Sequence, residues 1–263
     1  MSFWRYGIVK TAHKTVWLST ARVRSAWNRV TGQKPAHGPT AYGVRLWQRW
    51  DDRTFVYCRA GTYGRFLSDY LANRQDDFAF ADVGANQGLY SLIAAKNPHC
   101  QQVIAFEPVA ATFAALRANI AINLGAEKVT ALNLGVSDKA ERIEISVPRG
   151  HSGMATLRPS AGSNSETETI EVVSAVELDR LLDGALPLVI KVDVEGHEAT
   201  VIEQLLTCSH APRIECIFYE VDRRWSDKDL IAAMLRDAGF EAFKQVGRGH
   251  HFDVMASRSK SLA

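Results

Sequence analysis

The sequence predicts an α/β fold in which helices cover both faces of a mainly parallel, doubly wound sheet. From Phe78 onward, short apolar runs alternate with segments that carry apolar residues at helical spacing, which is typical of parallel strands joined by crossover helices. Near the end of the chain, the runs 241–246 and 252–257 flank Gly247 and Gly249 and predict a hairpin that adds an antiparallel strand to the sheet. A basic helical segment precedes the whole pattern.

Each predicted strand is a short apolar run, and each predicted helix repeats apolar residues at intervals of three or four positions, as segment 110–123 does. Ser174 and Glu177 form a capping box that opens one helix. Polar and apolar residues alternate in 142–147 and 169–173, which predicts a hairpin or flap around a long loop. The predicted strands are 78–82, 102–106, 129–134, 188–193 and 216–221, and the predicted helices are 88–96, 110–123, 174–182, a segment around 201–206, and 229–238.

The composition is that of a globular protein with one large domain. The chain has 263 residues, of which 46% are hydrophobic, enough to bury a substantial core. No apolar run approaches the roughly 18–20 residues that cross a bilayer, so we expect no transmembrane span. The four cysteines contain no CxxC pair, which argues against a disulfide scaffold or a structural zinc module and favours a cytoplasmic location.

Charge divides the chain into two regions. Residues 1–50 hold nine basic and no acidic side chains, a net charge of +9, whereas the remainder has 22 bases and 29 acids, a net charge of −7. A helix is predicted from about residue 3 to residue 30, followed by a break at 32–40, where proline and glycine cluster. The predicted parts are a basic helical extension and linker at 1–49, a globular domain at 50–258 and a tail at 259–263.

The sequence allows several uses of the basic helix. The alternatives are packing on its own domain or on another subunit, docking on an anionic membrane or glycan surface, and a role as an organelle transit peptide. Five tryptophans in the same region are either interfacial anchors or packing residues, namely Trp4, Trp17, Trp27, Trp47 and Trp50. We predict a cytoplasmic protein whose residues 1–30 contact an anionic membrane surface or another subunit.

The first strand is followed by a glycine-containing turn, Asp82-Val-Gly-Ala-Asn-Gln-Gly88. Gly84 and Gly88 allow close backbone approach, and the next helix presents free N–H groups to a carboxylate or phosphate. Asp82, at the strand end, can accept hydrogen bonds from an ammonium group. A tight structural turn would explain the same pattern. Our prediction is a cofactor site that includes Asp82, Gly84, Ala85, Asn86 and Gly88.

Residues at the next two strand ends indicate an adenosine site. Glu107 and Pro108 follow the second strand, and adjacent strand ends converge on one crevice, so the Glu107 carboxylate can accept hydrogen bonds from both ribose hydroxyls. NAD would share this contact, but its pyrophosphate usually requires Gly-x-Gly-x-x-Gly, and Asn86 occupies the second glycine position. S-Adenosylmethionine is therefore favoured over a dinucleotide. After the third strand, Ser137 and Asp138 form either a plain turn or a contact to the adenine amino group.

The segment 190–198 (IKVDVEGHE) concentrates titratable groups at the end of a central strand, where such folds bind ligands. This cluster is either simply solvated, or it positions and deprotonates a hydroxyl group. For the second case we predict Asp193 or His197 as the general base. Glu195 then orients the base or the acceptor.

Two groups of side chains offer metal ligands as an alternative. One is Asp193 with Glu195 and His197, and the other is the histidine pair 250–251 with Asp253. We predict no metal, and we place the histidine pair at the edge of the acceptor pocket.

Together these motifs resemble the FkbM-type S-adenosylmethionine-dependent methyltransferases. The matching segments, in family order, are DVGANQGLYS (82–91), AFEP (105–108), GVSD (135–138) and IKVDVEGHE (190–198). The resemblance covers about residues 76–257. It implies a Rossmann-like methyltransferase fold and methyl transfer to an oxygen, commonly of a sugar or a natural-product alcohol.

The resemblance also implies roles for individual residues. It places Asp82, Gly84 and Asn86 at the methionine end of the cofactor, Glu107 at the ribose and Asp138 at the adenine. Two segments depart from the family pattern. Residues 151–157 (HSGMATL) replace a strip that is often rich in glycine and serine, and the basic helix lies outside the resemblance.

We therefore predict an S-adenosylmethionine-dependent O-methyltransferase that acts on a hydroxyl of a small-molecule or glycan acceptor. The alternatives are a catalytically silent scaffold of the same fold that acts in glycan assembly, and an NAD-dependent oxidoreductase. Nucleic acid is not an expected partner, because no RNA-binding motif is present and the predicted domain is net acidic.

Overall fold

The computed structural model describes residues 3–32, 36–148, 150, 152–156 and 165–259, with the backbone alone described at 3–15 and 154. A seven-stranded sheet forms its centre. The strands are β1 His37–Pro39, β2 Arg45–Trp47, β3 Phe78–Val83, β4 Cys100–Phe106, β5 Val129–Leu132, β6 Gly135–Val136, β7 Glu141–Pro148, β8 Ser165–Val173, β9 Leu188–Val192, β10 Ile214–Asp222, β11 Ala242–Val246 and β12 His251–Ser257.

The central sheet has the order β11-β12-β10-β9-β3-β4-β5. The five strands from β10 to β5 are parallel, whereas β12 runs antiparallel to both β10 and β11. This confirms the predicted mainly parallel sheet with a closing antiparallel hairpin. Because β3 lies in the middle, all six of its residues are buried, as expected for a strand covered on both faces.

Helices cover the two faces of the sheet. They are α1 Phe3–Thr31, α2 Arg53–Ala60, α3 Arg65–Asn73, α4 Leu89–Lys96, α5 Ala110–Ile120, α6 Ala175–Leu181, α7 Glu198–Thr207 and α8 Lys228–Asp237. Alternate residues of β3 contribute to two separate cores, Ala79 and Ala81 to one and Phe78 and Phe80 to the other. The first core packs on α6, α7 and α8, and the second on α2, α3 and α4.

A smaller sheet with the order β6-β8-β7 lies beside the central one. Its strands β7 and β8 are antiparallel, which confirms the hairpin expected from the alternating residues, and β6 adds to β8 in parallel. Ser174 and Glu177 form the predicted capping box at the start of α6. The segment 149–164 that joins β7 to β8 is described only at 150 and 152–156.

Some elements differ from the sequence prediction. The elements β1, β2, α2 and α3 were not predicted, and β1 lies within the segment expected to be a break. Helix α5 ends at Ile120 rather than at residue 123, because the next amides, those of Ile122 and Asn123, bond to carbonyls three residues back and form turns.

Helix α1 matches the predicted basic helix, and it packs on α2 and the segment before it. Ala21 is only 4% exposed. The Trp17 ring lies parallel to that of Trp50, with centroids 6.4 Å apart, and the Arg59 guanidinium lies 5.7 Å from the centre of the Trp17 ring. Within the described residues, no helix is both long enough and apolar enough to cross a bilayer.

The described tryptophans of the N-terminal region differ in burial. Trp17, Trp47 and Trp50 are partly buried packing residues, and the indole of Trp47 donates to the carbonyl of Ala118 on α5 at 3.2 Å. Trp27 is 57% exposed. The side chain of Trp4 lies outside the described residues.

Candidate active site

A cleft opens where the carboxyl ends of β3, β4 and β9 meet the three-stranded sheet. Its empty space, including the open mouth, is about 760 Å³. The three-stranded sheet supplies an apolar wall. The cleft is lined by Tyr63, Val83, Gly84, Asn86, Glu107, Pro108, Val109, Leu134, Gly135, Val136, Ile143, Ile145, Ser152, Gly153, Ala155, Thr156, Ile170, Val172, Asp193, Val194, Glu195 and His197.

The loop after β3 approaches the end of β9 closely. A Cβ at Gly84 would lie 2.0 Å from the carbonyl oxygen of Asp193, and φ at Gly84 is +79°, so only glycine fits without displacing backbone. Asn86 also has a positive φ, +51°. Of the predicted loop residues, Gly84 and Asn86 line the cleft, whereas Ala85 is buried and Gly88 precedes α4, and neither of these lines the cleft.

Asp82 is fully buried and does not line the cleft. Its carboxylate accepts hydrogen bonds from the Ser91 hydroxyl at 2.6 Å and the Ser91 amide at 3.1 Å, and its other oxygen lies 3.3 Å from Lys191 Nζ. Lys191 also donates to the Gly84 carbonyl at 2.8 Å and pairs with Asp193 at 3.4 Å. Asp82 is therefore connected to the cleft through Lys191.

Lys191 stays charged despite its burial. Burial alone would lower the pKa of its ammonium group, but the carboxylates of Asp193 and Asp82 outweigh that effect and hold the pKa above its ordinary value. The sequence places this lysine inside an apolar strand. In the structure, its ammonium group contacts residues at the carboxyl ends of both β3 and β9.

Glu107 lies at the end of β4 and faces the cleft with 5% of its surface exposed. Its two oxygens accept hydrogen bonds from the backbone amides of Asn86 at 2.9 Å and Val109 at 3.0 Å. Burial raises the pKa of Glu107 to about 7, although these amides and Lys191 act against the rise. The carboxylate is thus oriented by backbone donors, and each oxygen keeps a lone pair for a ligand. Pro108, beside it, also lines the cleft.

His197 reaches the cleft from the start of α7 and meets the loop after β6. Its Nε2 lies 3.0 Å from the Ser137 hydroxyl, which is also 3.1 Å from an Asp138 oxygen. Burial lowers the pKa of His197, and the nearby Asp138 charge only partly counters this. Ser137 is buried and Asp138 is exposed, and neither lines the cleft.

Three carboxyl groups cluster at the ends of β9 and β10. Oxygen atoms of Asp193, Glu195 and Glu220 lie within 4.8 Å of one another, an arrangement able to hold a divalent cation. His197 is not part of this group, in contrast to the trio considered from the sequence. Burial, followed by the charges of Asp193 and Glu220, raises the pKa of Glu195 to about 9. Glu195 therefore carries a proton at neutral pH.

His250 and His251 are not among the residues that line the cleft. His251 Nε2 lies 2.7 Å from a Glu220 oxygen, and this contact raises the pKa of His251 to about 9. Asp253 lies on the same strand, and its burial raises its pKa to about 7. Among the described residues, neither His250 nor Asp253 belongs to a cluster with metal-binding geometry. His251 therefore borders the acidic group, and neither histidine lines the cleft.

A short segment between β7 and β8 bridges the two loops of the site. The Ser152 hydroxyl donates to the side-chain oxygen of Asn86 at 3.0 Å, and the Thr156 hydroxyl donates to the Glu195 carbonyl at 3.0 Å. Sequence reasoning left the contacts of 151–157 undefined. The structure places Ser152, Gly153, Ala155 and Thr156 at the cleft, whereas His151 and Leu157 lie outside the described residues.

Sequence reasoning missed two other residues of the site. Glu220 lies in β10, next to β9, so the rule that ligands bind at strand ends could have identified it. Tyr63 lines the cleft from the loop between α2 and α3. No periodic pattern marked this tyrosine, because it belongs to no regular element.

Replacing Glu195 by glutamine is expected to change how stability depends on pH. A carboxyl group whose pKa rises from 4.5 to about 9 on folding binds more protons in the folded state, so the free energy of unfolding falls as pH rises through that window. Glutamine removes this contribution. The variant should match the wild type near pH 4, below the ordinary pKa of 4.5, and exceed it by several kcal/mol at pH 8.5, since one pKa unit corresponds to about 1.4 kcal/mol.

Urea unfolding of both proteins at the two pH values measures this difference. Glu203→Gln, at an exposed position of α7, serves as the control and should follow the wild type throughout. If Glu195→Gln also follows the wild type at both pH values, burial and the neighbouring carboxylates do not hold Glu195 protonated.

The sequence of this chain is similar to sequences of methyltransferases. A sequence profile for the methyltransferase FkbM domain matches residues 82–242. The methyltransferase sdnD of Sordaria araneosa is 30% identical over 210 residues, covering 68% of this chain and 81% of that protein.

Two solved structures align with most of this chain. The methyltransferase FkbM of Methylobacillus flagellatus KT superposes with a TM-score of 0.50 at 16% identity, covering 79% of this chain and 53% of that one. This chain therefore spans about half the length of that structure. A precorrin-6y C5,15-methyltransferase of Geobacter metallireducens GS-15 covers 76% of this chain and 88% of its own, at 14% identity and a TM-score of 0.43.

Proposed function

Because the chain belongs to the FkbM methyltransferase family and has a Rossmann-like fold, we propose that it transfers a methyl group from S-adenosylmethionine to a hydroxyl oxygen. The proposed acceptor is a sugar, a glycan or another natural-product alcohol. The observation that carries the proposal is the cleft itself, which has the Glu107 carboxylate at one strand end and Asp193 and His197 at the other.

The residues of the cleft fit S-adenosylmethionine. The free lone pairs of Glu107 suit the two ribose hydroxyls, and the apolar residues Ile143, Ile170 and Val136 suit an adenine ring. The carboxylate of Asp193 suits the cationic end of the cofactor. Asn86 takes a position that a pyrophosphate-binding loop gives to glycine, which favours this cofactor over a dinucleotide. Asp138 remains a proposed adenine contact, reached from its exposed position beside Ser137.

The cofactor supplies an electrophilic methyl group, and the protein must hold the acceptor oxygen in line with it. We assign proton removal to His197 first and to Asp193 second. A lowered pKa leaves the imidazole of His197 neutral near pH 7, so that a ring nitrogen can accept the hydroxyl proton as the new carbon–oxygen bond forms. Glu195, which is protonated at this pH, can donate a hydrogen bond to the acceptor or to the base but cannot itself take the proton.

Calorimetric titration with S-adenosylhomocysteine tests the cofactor site. The wild type should bind with a micromolar Kd, and Glu107→Ala should bind about 100-fold more weakly, because two charge-assisted hydrogen bonds are lost. Affinity of the wild type should also fall as pH decreases below about 7, where Glu107 becomes protonated. Glu203→Ala, which changes an exposed glutamate of α7, should bind as the wild type does.

The same titration with NAD separates the alternatives. Binding of NAD in place of S-adenosylhomocysteine would contradict the proposal and favour an oxidoreductase. Transfer of a labelled methyl group to fractionated glycans and metabolites then tests catalysis. Cofactor binding without transfer to any fraction would favour a catalytically silent scaffold.

A further inference from the structure

Helix α1 carries an exposed apolar ridge that the fold does not use. The ridge consists of Val16, Val23, Trp27 and Val30, which are 63%, 70%, 57% and 85% exposed. Their spacings of seven, four and three residues place them along one side of a helix. Large apolar side chains that recur along one face of a surface helix mark a contact surface more often than scattered ones do.

The ridge lies on the side of α1 that faces away from the protein. The packed side is formed by Trp17 and Ala21, which contact α2 and the segment before it, with Ser25 and Asn28 continuing along the same side. At 100° per residue, Ala21 and Val30 differ by half a turn. Among the described residues, nothing covers the ridge, so it can contact a partner outside the chain.

Arginines flank the ridge on both sides. Arg22 lies on one side of the ridge and Arg24 on the other, and Arg29 lies next to Arg22 but farther from the ridge. A shallow groove runs between Arg24 and the ridge residues Val16, Val23 and Trp27. All three arginines are exposed, and none forms an ion pair with an acidic side chain of the described residues. The first 50 residues contain no acid that could neutralise them.

We infer that this face of α1 docks on the surface of a bilayer that contains anionic lipid. Valine and tryptophan side chains can enter the boundary between headgroups and acyl chains, while arginines beside them reach anionic headgroups. A second copy of α1 against the ridge would bring unneutralised arginines together, which disfavours a dimer through this face. A nucleic acid would attract the arginines but would leave the valines in water. This inference is independent of the proposed enzymatic activity.

Vesicle co-sedimentation of the full chain tests the inference. The protein should sediment with vesicles of phosphatidylcholine and phosphatidylserine in equal parts and stay in solution with phosphatidylcholine alone, and added salt should release it. Trp27→Glu should weaken binding about tenfold or more, since it places an acid in the ridge. Removing the three arginines together as Arg22→Ala, Arg24→Ala and Arg29→Ala should weaken binding about 100-fold, at about fivefold per cation.

A matched control tests whether vesicle binding depends on the ridge itself or on any exposed apolar side chain. Val176, on α6, is 63% exposed, as Val16 is, and Val176→Glu should bind vesicles as the wild type does. Far-UV circular dichroism should show unchanged helix content in all variants, because every altered side chain is exposed. Three outcomes would overturn the inference: no sedimentation with anionic vesicles, a dimer in solution that Trp27→Glu dissociates, or nucleic-acid binding that exceeds vesicle binding.

Discussion

Replacing Lys191 by methionine is expected to lower the free energy of unfolding by about 3–5 kcal/mol, the usual cost of removing one partner from a buried ion pair. Lys191 is 3% exposed, and its ammonium group neutralises the fully buried Asp82 and also pairs with Asp193. Methionine fills a similar volume but leaves the Asp82 carboxylate charged, buried and held only by Ser91. The hydrogen bond to the Gly84 carbonyl is lost as well.

Urea unfolding measures the change in the free energy of unfolding. Two further variants test whether the change comes from the buried ion pair. Lys228→Met removes an exposed lysine that lies 3.9 Å from Asp229, and it should change stability by less than about 0.5 kcal/mol. The double variant Asp82→Asn with Lys191→Met should recover about 1–2 kcal/mol, because the uncompensated charge is gone. A loss below about 1 kcal/mol for Lys191→Met would show that Asp82 finds another way to be neutralised.

Replacing His197 by alanine is expected to reduce turnover by about 10²–10⁴-fold, the usual contribution of a general base, while S-adenosylhomocysteine affinity changes little. The imidazole lines the cleft beside Asp193 and does not contact Glu107, whose carboxylate is held by other residues. In the wild type, turnover should decrease as pH falls through the pKa of His197, which burial holds below its ordinary value. The alanine variant should lose this step in the pH profile.

His197→Gln and Asp193→Asn complete the test. Glutamine preserves a hydrogen-bonding partner for the Ser137 hydroxyl, so a merely structural role of His197 would leave His197→Gln close to the wild type. Unchanged turnover in both His197 variants, together with a large loss in Asp193→Asn, would assign the proton to Asp193 instead. Because Asp193 pairs with Lys191, the stability of that variant must be measured alongside its activity.

Much of the fold was predictable, because each strand and helix carries its own local pattern. The apolar run of β9 and the capping box of α6 are examples, and both are found where the sequence predicted them. The elements between Thr40 and Phe78 were missed. There α2 and α3 are only eight and nine residues long, and their apolar faces are defined by the core they cover rather than by a long periodic run.

The candidate site was predictable to a lesser extent. Residues that follow strands could be anticipated, since parallel strands end at one edge of the sheet, and Glu107, Asp193 and His197 do line one cleft. The complete burial of the Asp82 side chain could not be anticipated. Nothing local distinguishes a strand-end carboxylate that faces a ligand from one that is buried against a lysine 109 positions further along the chain.

The sequence by itself determined the alternation of strands and helices from β3 onward, the glycine-containing turn after β3 and the basic, acid-free character of α1, because these depend on neighbouring residues and on composition. Only the tertiary structure decided that Lys191 joins the ends of β3 and β9, that Ser152 and Thr156 bond to the two loops of the site, and which side of α1 faces outward. Such contacts join residues far apart in the chain. Their burial and charge are defined only once the strands have paired and the helices have packed.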